Sequence, residues 1–255
     1  MKGSKVSEAR DDLPGVIIAV DAVGNSLARN ALFEGFGAEE LRQIERACVW
    51  RKCRAGDEIL TRDSLSRDII FVVSGEVRVV NFSLTGREVA YAEVKEGGYF
   101  GELAAIDGAP RSANVVAHTD CLFASLSPAA FRAVLKKHPD VAVQVLEKLA
   151  RIIRICDDRI MDLATLGAHQ RVYRELAKLI IEDPVRAKSW LIYPTPTQAM
   201  IASRASTTRE TVARVMGQLT NAGILERKTK TLYVRDRERL NLLIEHVSSH
   251  EDGAR

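Results

Sequence analysis

The sequence predicts an α+β protein that begins with a β-roll of the jelly-roll type, continues through one long helix and ends in a smaller helical domain. Short β-branched and apolar runs alternate with glycine and aspartate turns from residue 49 to residue 126, which is typical of many short antiparallel strands. A long helical repeat follows Asp140, and beyond Gly167 short helical segments are separated by turns.

These patterns also predict the limits of the domains. A flexible arm is expected over residues 1–25, the β-roll over 26–139, the long helix over 140–166 and the C-terminal domain over 167–255. Strands are predicted over residues 57–60, 68–73, 76–82, 89–94 and 115–126. Helices are predicted over residues 38–48, 129–137, 168–182 and 198–203, with one ending near 221 and another over 237–246.

The composition excludes several classes of protein. The 255 residues carry 37 basic and 34 acidic side chains, a net charge of +3, so the overall charge indicates no particular partner. No apolar run approaches the roughly 18 residues of a membrane span. The polar start resembles neither a signal nor a transit peptide. We therefore expect a cytoplasmic protein that does not contact membranes.

The cysteines and histidines are not arranged for metal binding or catalysis. The four cysteines form no C-x-x-C pair, and the five histidines form no H-E-x-x-H cluster. The G-x-S-x-G and G-x-x-x-x-G-K-[ST] patterns of hydrolases and P-loop proteins are absent as well. Because these spacings are what such sites need, we expect no metal ion and no enzymatic activity.

The most informative stretch, residues 98–117, combines glycines, two acids, a short apolar segment and the run P-R-S. The glycines let the backbone approach a ligand closely. Leu103, Ala104 and Ala105 can form one helical turn, whose free N–H groups would point at an anion. The backbone of this stretch therefore favours an anionic ligand.

Three polar side chains add to this pattern. Arg111 offers a planar, always-charged fork suited to phosphate, and Ser112 offers a hydroxyl. Glu102 is an acceptor that suits a sugar hydroxyl and not a phosphate. A tight turn with a surface Arg–Glu pair is the alternative interpretation, but the residues in this order favour a sugar-phosphate site.

The long helix carries an apolar stripe with spacings of three and four residues, which is a heptad pattern. This alternation favours a two-stranded coiled coil between identical chains, and hence a homodimer. A helix buried against its own domain also shows such a stripe. The stripe consists of Leu146, Leu149, Ile153, Cys156, Ile160 and Leu163.

A second informative stretch covers residues 197–225. Two short helical patterns are joined by a tight turn, where Thr207 or Thr208 can cap the second helix. An apolar face on the second helix leaves a polar face on the other side, and Lys-rich residues 228–231 then turn between two short strands. This is helix-turn-helix architecture with a wing. The polar face carries Thr208, Arg209, Glu210 and Arg214.

The charge around this motif is locally basic. Residues 186–235 contain nine basic and two acidic side chains, a local charge of +7 in a chain whose total is +3. A basic surface on a two-helix motif is the electrostatic footprint of a phosphate backbone. The sequence therefore predicts double-stranded DNA as a partner.

Together these segments resemble the Crp/Fnr superfamily of bacterial transcription regulators, closest to its cyclic-nucleotide (cAMP/cGMP) receptor branch. The runs F-G-E-L-A at residues 100–104 and P-R-S-A at 110–113 are similar to the phosphate-binding cassette of cyclic-nucleotide-binding domains; residues 98–117 are called the cassette below. The run R-E-T-V-A-R at residues 209–214 matches a recognition-helix pattern of that branch. The resemblance covers residues 32–247.

The resemblance implies a homodimeric, ligand-gated regulator with a cyclic-nucleotide effector, a palindromic DNA site and RNA polymerase as a further partner. In the cassette it implies that Gly101 and Glu102 meet the ribose, with Glu102 on the 2′-hydroxyl. Arg111 and Ser112 would hold the cyclic phosphate, helped by the amides near Leu103 and Ala104.

The resemblance also assigns the recognition helix. Arg209 and Arg214 would read guanines in the major groove, and Glu210 would accept from a cytosine amino group. Base chemistry agrees, because arginine can donate to guanine O6 and N7 together and glutamate can accept from cytosine N4. The implied half-site resembles TGTGA, with the two half-sites related by twofold symmetry.

The chain departs from the cAMP branch on the long helix. Cys156 and Asp157 stand where that branch typically carries Thr-Ser, which recognises the adenine amino group. A carboxylate at Asp157 or Asp158 could accept from guanine N1–H and N2–H₂ together and so favour cGMP. Adenine N6–H₂ is a donor too, so cAMP stays open, and both aspartates could instead pair with Arg154 or with a partner chain.

Four alternatives therefore follow from the sequence. cAMP is the favoured effector, and cGMP is a strong second. A regulator of the same family that no cyclic nucleotide controls is the third. The fourth is a regulatory subunit of an enzyme, against which the helix-turn-helix and its basic charge argue.

Overall fold

A computed structural model describes residues 13–19, 26–83 and 88–245 of the chain. The chain divides into two compact units. The first contains residues 1–83 and 90–151, and the second contains residues 84–89 and 152–255. Each unit is described by itself.

Antiparallel sheets form the body of the first unit. Their strands are β1 (Val16–Ile18), β2 (Val49–Cys53), β3 (Glu58–Leu60), β4 (Ile69–Ser74), β5 (Glu76–Phe82), β6 (Glu88–Lys95), β7 (Tyr99–Phe100), β8 (Asn114–Ala117) and β9 (Cys121–Leu126). One sheet has the order β1-β2-β9-β4-β7 and the other has the order β3-β8-β5-β6. Strand β9 pairs antiparallel with β2 and β4, and β8 pairs antiparallel with β3 and β5.

Strand β4 is buried on both faces because one face packs on the other sheet and the opposite face packs on helices. Ile70 and Val72 belong to the core that includes Val77 and Val115 of the other sheet. Phe71, one residue out of step, belongs instead to the core that the sheet shares with helices. Side chains alternate across a strand, so one continuous apolar run supplies both cores.

Helices cover the outer face of the larger sheet. They are α1 (Ala38–Ala47), α2 (Glu102–Asp107), α3 (Pro128–Lys137) and α4 (Pro139–Thr165). Ser127 caps α3 by accepting from the Ala130 amide, and Pro128 is the first helical residue, as expected for a proline there. The first turns of α4 are held on the unit by Val141 and Val145, which are both buried in the shared core.

The second unit combines helices with a small sheet. Its elements are α5 (Ala168–Lys178), β10 (Ile181–Glu182), β11 (Trp190–Ile192), α6 (Gln198–Arg204), α7 (Arg209–Asn221), β12 (Leu225–Lys228), β13 (Thr231–Val234) and α8 (Arg237–Glu245). The strand order is β10-β11-β13-β12. Val172 and Leu176 of α5, Val212 and Val215 of α7 and Leu240 of α8 share one core.

The predicted fold class is confirmed, with an antiparallel β-rich N-terminal domain, one long helix and a C-terminal helix-turn-helix with a two-stranded wing. Three element predictions were wrong in detail. Strands β2 and β7 were not predicted. Residues 115–126 form two strands instead of one, because Thr119 and Asp120 turn the chain between them: the Thr119 hydroxyl accepts from Glu76 N and the Asp120 carboxylate from Ala55 N.

The third error concerns the helix predicted over residues 168–182, which ends at Lys178. Ile181 and Glu182 pair instead with Leu191 and Trp190 of β11. Helical periodicity does not report such strand pairing, which is a tertiary contact.

The flexible arm predicted over residues 1–25 lies partly outside the described residues. Within residues 13–19, Leu13 is buried in the core between the sheets. Val16–Ile18 pairs antiparallel with residues 50–52 of β2. The interpretation of a loose arm therefore does not extend to this strand. The β-branched run V-I-I favours strand formation.

The packing of α4 on the first unit gives a stability prediction. Val145→Ala should lower the free energy of unfolding by about 2 kcal/mol, because it removes buried methyl groups and leaves a cavity. Val143→Ala is the matched control, since Val143 is 51% exposed and Val145 only 2%. Urea unfolding followed by circular dichroism measures both, and equal losses would contradict this account of the packing.

Candidate functional site

The cassette is shaped by two glycines in the left-handed region. Gly101, at φ 80°, precedes α2, and Gly108, at φ 77°, ends it with its amide donating to Ala104 O. A Cβ at residue 101 would lie 2.6 Å from Nη1 of Arg111 and 3.0 Å from Asp68 O. Only glycine therefore fits at this position without displacing the arginine.

Arg111 is buried, with 3% of its surface exposed. Its Nη2 donates to Asp68 O at 2.9 Å and to the Ser66 hydroxyl at 3.3 Å, and its Nη1 donates to Gly101 O at 3.2 Å. These bonds join the start of β4 to the start of α2. The guanidinium is thus held in one orientation at the cassette by acceptors of the protein itself.

Glu102, the first residue of α2, is also buried and lies beside a lysine that the sequence analysis missed. Lys148 of α4 places Nζ 3.0 Å from Glu102 Oε1. The same Nζ donates to Tyr99 O at 2.6 Å and lies 3.6 Å from the centre of the Tyr99 ring. Burial lowers the pKa of the Lys148 ammonium, and the neighbouring Glu102 carboxylate acts in the opposite direction.

A signal for Lys148 exists in the sequence. Val141, Val145 and Lys148 are spaced by four and three residues, so they share the helix face that packs on the first unit. Most of the predicted heptad stripe lies on another face of α4, although its member Leu149 packs on the same core as Val145. An isolated lysine that continues a buried stripe is the pattern to look for.

The other predicted ligand residues are placed as follows. Leu103 is exposed and Ala104 is buried on α2, and their amides precede the first intrahelical bond of α2, from Ala105 N to Gly101 O. Ser112 is exposed and adjoins Arg111, and its carbonyl accepts from Asn81 Nδ2 at 3.3 Å. The structure therefore brings Gly101, Glu102, Arg111 and Ser112 into one loop region, whereas Cys156 and Asp157 are exposed side chains of the second unit.

The second candidate surface is the polar face of α7. Thr208 caps the helix by accepting from the Thr211 amide at 3.2 Å. Hydrogen bonds from its own backbone N–H and from the Thr208 hydroxyl lower the pKa of Glu210. The buried face is formed by Val212, Val215 and Leu219. The predicted DNA-contacting residues Thr208, Arg209, Glu210 and Arg214 are all exposed.

Part of the local positive charge is compensated within the wing. Arg235 Nε donates to Glu226 Oε2 at 2.8 Å, and Lys228 Nζ lies 2.9 Å from Glu226 Oε1. These two cations lower the pKa of Glu226, with Lys228 the larger influence. Arg227 and Lys230 are exposed on the same wing.

Two family descriptions match this chain. A cyclic nucleotide-binding domain matches residues 50–138, and a Crp-like helix-turn-helix domain matches residues 170–243. A cyclic AMP receptor protein of Thermus thermophilus is 30% identical over 210 residues, which are 80% of this chain and 92% of that protein. The chain belongs to the Crp/Fnr superfamily.

Further relatives agree with this membership. A CRP-like cAMP-activated global transcriptional regulator of Mycobacterium tuberculosis is 24% identical over 215 residues, which are 84% of this chain and 96% of that protein. The structure of a CooA mutant from Carboxydothermus hydrogenoformans aligns with a TM-score of 0.68 at 19% identity, covering 78% of this chain and 88% of that one. The latter likeness supports the fold.

This Crp/Fnr protein is a DNA-binding transcription regulator with a cyclic-nucleotide-binding domain, and its relatives are regulators and not enzymes. No helix in the described parts of the chain is long and apolar enough to cross a membrane. Over residues 13–19, 26–83 and 88–245, the structure gathers no group of three or more His, Cys, Asp and Glu side chains that could hold a metal ion.

The glycine geometry gives a binding prediction for the cassette. Gly101→Ala should weaken cAMP or cGMP binding, whichever the protein takes, by about tenfold or more, because the new Cβ displaces Arg111 in addition to straining the backbone. Gly108→Ala is the matched control. It has the same backbone strain at φ 77°, but a Cβ there meets nothing within 4 Å.

Titration calorimetry of the two purified variants checks this prediction. Equal losses of nucleotide affinity would mean that strain alone acts and that the position of Arg111 is unimportant.

Proposed function

We propose that this regulator is a homodimer whose binding to a palindromic DNA site is controlled by a cyclic nucleotide. The observation that carries the proposal is the pre-oriented Arg111 in a cassette that belongs to the same chain as the helix-turn-helix. The nucleotide-binding domain would span residues 26–139, the dimerisation helix 140–166 and the DNA-binding domain 167–255.

The cassette offers groups that suit each part of a cyclic nucleotide. Arg111 and Ser112 would hold the cyclic phosphate, together with the first amides of α2 at Leu103 and Ala104. Gly101 and Glu102 would meet the ribose. A carboxylate has about four acceptor positions, so Glu102 can accept from a sugar hydroxyl while Lys148 stays on Oε1.

The identity of the effector depends on residues outside the cassette. We favour cAMP, because relatives at 24–30% identity carry names that describe them as cAMP-activated or as cyclic AMP receptors. cGMP is the second candidate, because Asp157 could accept from both donors of the guanine edge. Calorimetric titration of the purified protein with each nucleotide distinguishes them.

Dimerisation through α4 is supported by the exposure of most of its heptad stripe, of which Leu149 alone packs on the core of the first unit. Leu146 is 63%, Ile153 60% and Ile160 63% exposed in the single chain. Large apolar side chains spaced by three and four residues along one helix are usually covered by a partner. A second copy of the same helix provides a matching stripe, and this favours the coiled-coil alternative over burial within the chain's own domain.

In the dimer, two copies of α7 would enter successive major grooves about 34 Å apart. Arg209 and Arg214 would donate to guanines, Glu210 would accept from cytosine, and Thr208 would contact the backbone beside them. RNA polymerase is a further proposed partner at promoters. The nucleotide would act by binding one of two conformations of the dimer more tightly, since a ligand shifts an equilibrium only by its differential affinity.

Arg111→Ala tests the gating. The variant should lose the nucleotide response but keep the affinity for random DNA, because phosphate-backbone binding depends on the C-terminal domain. Gel shifts with a TGTGA palindrome and with random DNA, each with and without cAMP and cGMP, measure this. A response that survives would exclude the cassette as the effector site, and a wild type that binds the palindrome equally without nucleotide would favour the ungated alternative.

Arg209→Ala tests base readout. It should weaken binding to the specific palindrome by about 1–3 kcal/mol. The affinity for random DNA should fall only by the small amount that the loss of one positive charge causes. Arg46→Ala, an exposed arginine of α1, is the control for that charge. An equal loss on both DNAs would exclude Arg209 as a base reader, and the failure of wild type to bind any palindrome would favour the regulatory-subunit alternative.

A further inference from the structure

The turn between α6 and α7 is held by side chains from outside the helix-turn-helix. Helix α6 ends at Arg204, and Ser206 adopts φ 51°, a left-handed conformation. Thr207 N donates back to Ala202 O at 2.9 Å. The last carbonyls of a helix lack intrahelical donors, so the direction in which α7 leaves this turn depends on what binds them.

Arg171 of α5 supplies some of these donors. Its Nε donates to Ala205 O at 2.9 Å, and its Nη2 lies 3.4 Å from Ser206 O. Its Nη1 donates to Leu166 O at 2.7 Å. A single guanidinium thus joins the turn to the connection between α4 and α5, and its charge suits the negative end of α6.

Arg159 of α4 supplies a further donor. Its Nη2 donates to the Ser206 hydroxyl at 3.0 Å and contacts Ser203 O at 3.4 Å. Arg159 precedes the break at Leu166-Gly167, whereas Arg171 follows it. Within the second unit, the long helix therefore contacts the turn directly, in addition to its covalent connection through α5.

A second contact ties the same end of α4 to α5. Asp162, which is buried, lies 2.9 Å from Arg174 Nη1 and 3.8 Å from Lys178 Nζ. The break at residues 166–167 is thus spanned by an ion pair and by the Arg159 contact. Because Asp162 fixes α4 to α5 and Arg159 fixes α4 to the turn, a change in the orientation of α4 can be transmitted to the turn.

We propose that Arg159 is a positioning residue for the recognition helix α7: it fixes the turn from which α7 departs and makes specific DNA binding depend on the long helix. The inference rests on the proposed function, in which α7 reads DNA and α4 joins the two chains. It adds the contact by which α4 acts on α7.

The experiment uses the full-length protein and three variants. Arg159→Ala removes the contact, Arg159→Lys keeps the charge but replaces the planar guanidinium with an ammonium on a flexible stem, and Arg154→Ala removes an exposed arginine of the same helix as a matched control. Binding to a TGTGA palindrome and to random DNA is measured with and without cAMP and cGMP. Hydrogen exchange of residues 203–211, thermal melting, the molar mass of the dimer and nucleotide affinity are measured alongside.

Arg159→Ala should weaken palindrome binding by about tenfold, the factor expected for a charge-assisted hydrogen bond. The affinity for random DNA should fall by a smaller factor. The turn amides should exchange faster, while nucleotide affinity and dimer mass stay unchanged. Arg159→Lys should recover part of the palindrome affinity, and Arg154→Ala should behave as wild type.

Unchanged palindrome affinity in Arg159→Ala would overturn the proposal. So would an equal loss on both DNAs together with a lower melting temperature, because that result assigns Arg159 a purely structural role. If wild type binds no palindrome, the proposed function itself fails; if wild type binds and the variant binds equally, only the role of Arg159 fails.

Discussion

Burial of the Arg111 guanidinium is the constraint on which the cassette depends. A buried cation is costly unless acceptors surround it, and here the acceptors are the carbonyls of Asp68 and Gly101 and the Ser66 hydroxyl. Gly101 has to lack a side chain because the arginine passes 2.6 Å from where a Cβ would lie. The loop conformation, the start of α2 and the direction of Arg111 are therefore consequences of one requirement.

The long helix α4 meets three different requirements along its length. Val141 and Val145 pack on the first unit, most of the heptad stripe is exposed, and Arg159 contacts the turn of the helix-turn-helix. One helix can carry all three groups because its 27 residues form several turns, and side chains project from every side of the axis. Packing, the proposed dimerisation and the proposed positioning of α7 thus depend on separate residues of one element, and substitutions can address each of them separately.

Much of the fold and part of the site could be predicted from the sequence, because local signals specify them. The Ser127-Pro128 helix start, the Thr208 cap and Gly223 in its left-handed conformation follow from short-range chemistry. The partners of Arg111, the pairing of Lys148 with Glu102 and the contact of Arg159 with Ser206 join residues that are distant in the chain. Periodicity can place Lys148 on the buried face of α4, but it does not report which distant residue a side chain contacts. The same holds for Ile181, where strand pairing overrides a helical pattern.

The Glu102–Lys148 ion pair limits how a sugar hydroxyl can bind to the cassette. A sugar hydroxyl is neutral, so it can share the carboxylate of Glu102 but cannot balance its charge. Because Glu102 is buried, removing the ammonium would leave an uncompensated anion, which is strongly unfavourable. Any ribose that binds there therefore shares the Glu102 carboxylate with Lys148. Its affinity depends on whether the ion pair keeps its geometry while the carboxylate also accepts from the sugar hydroxyl.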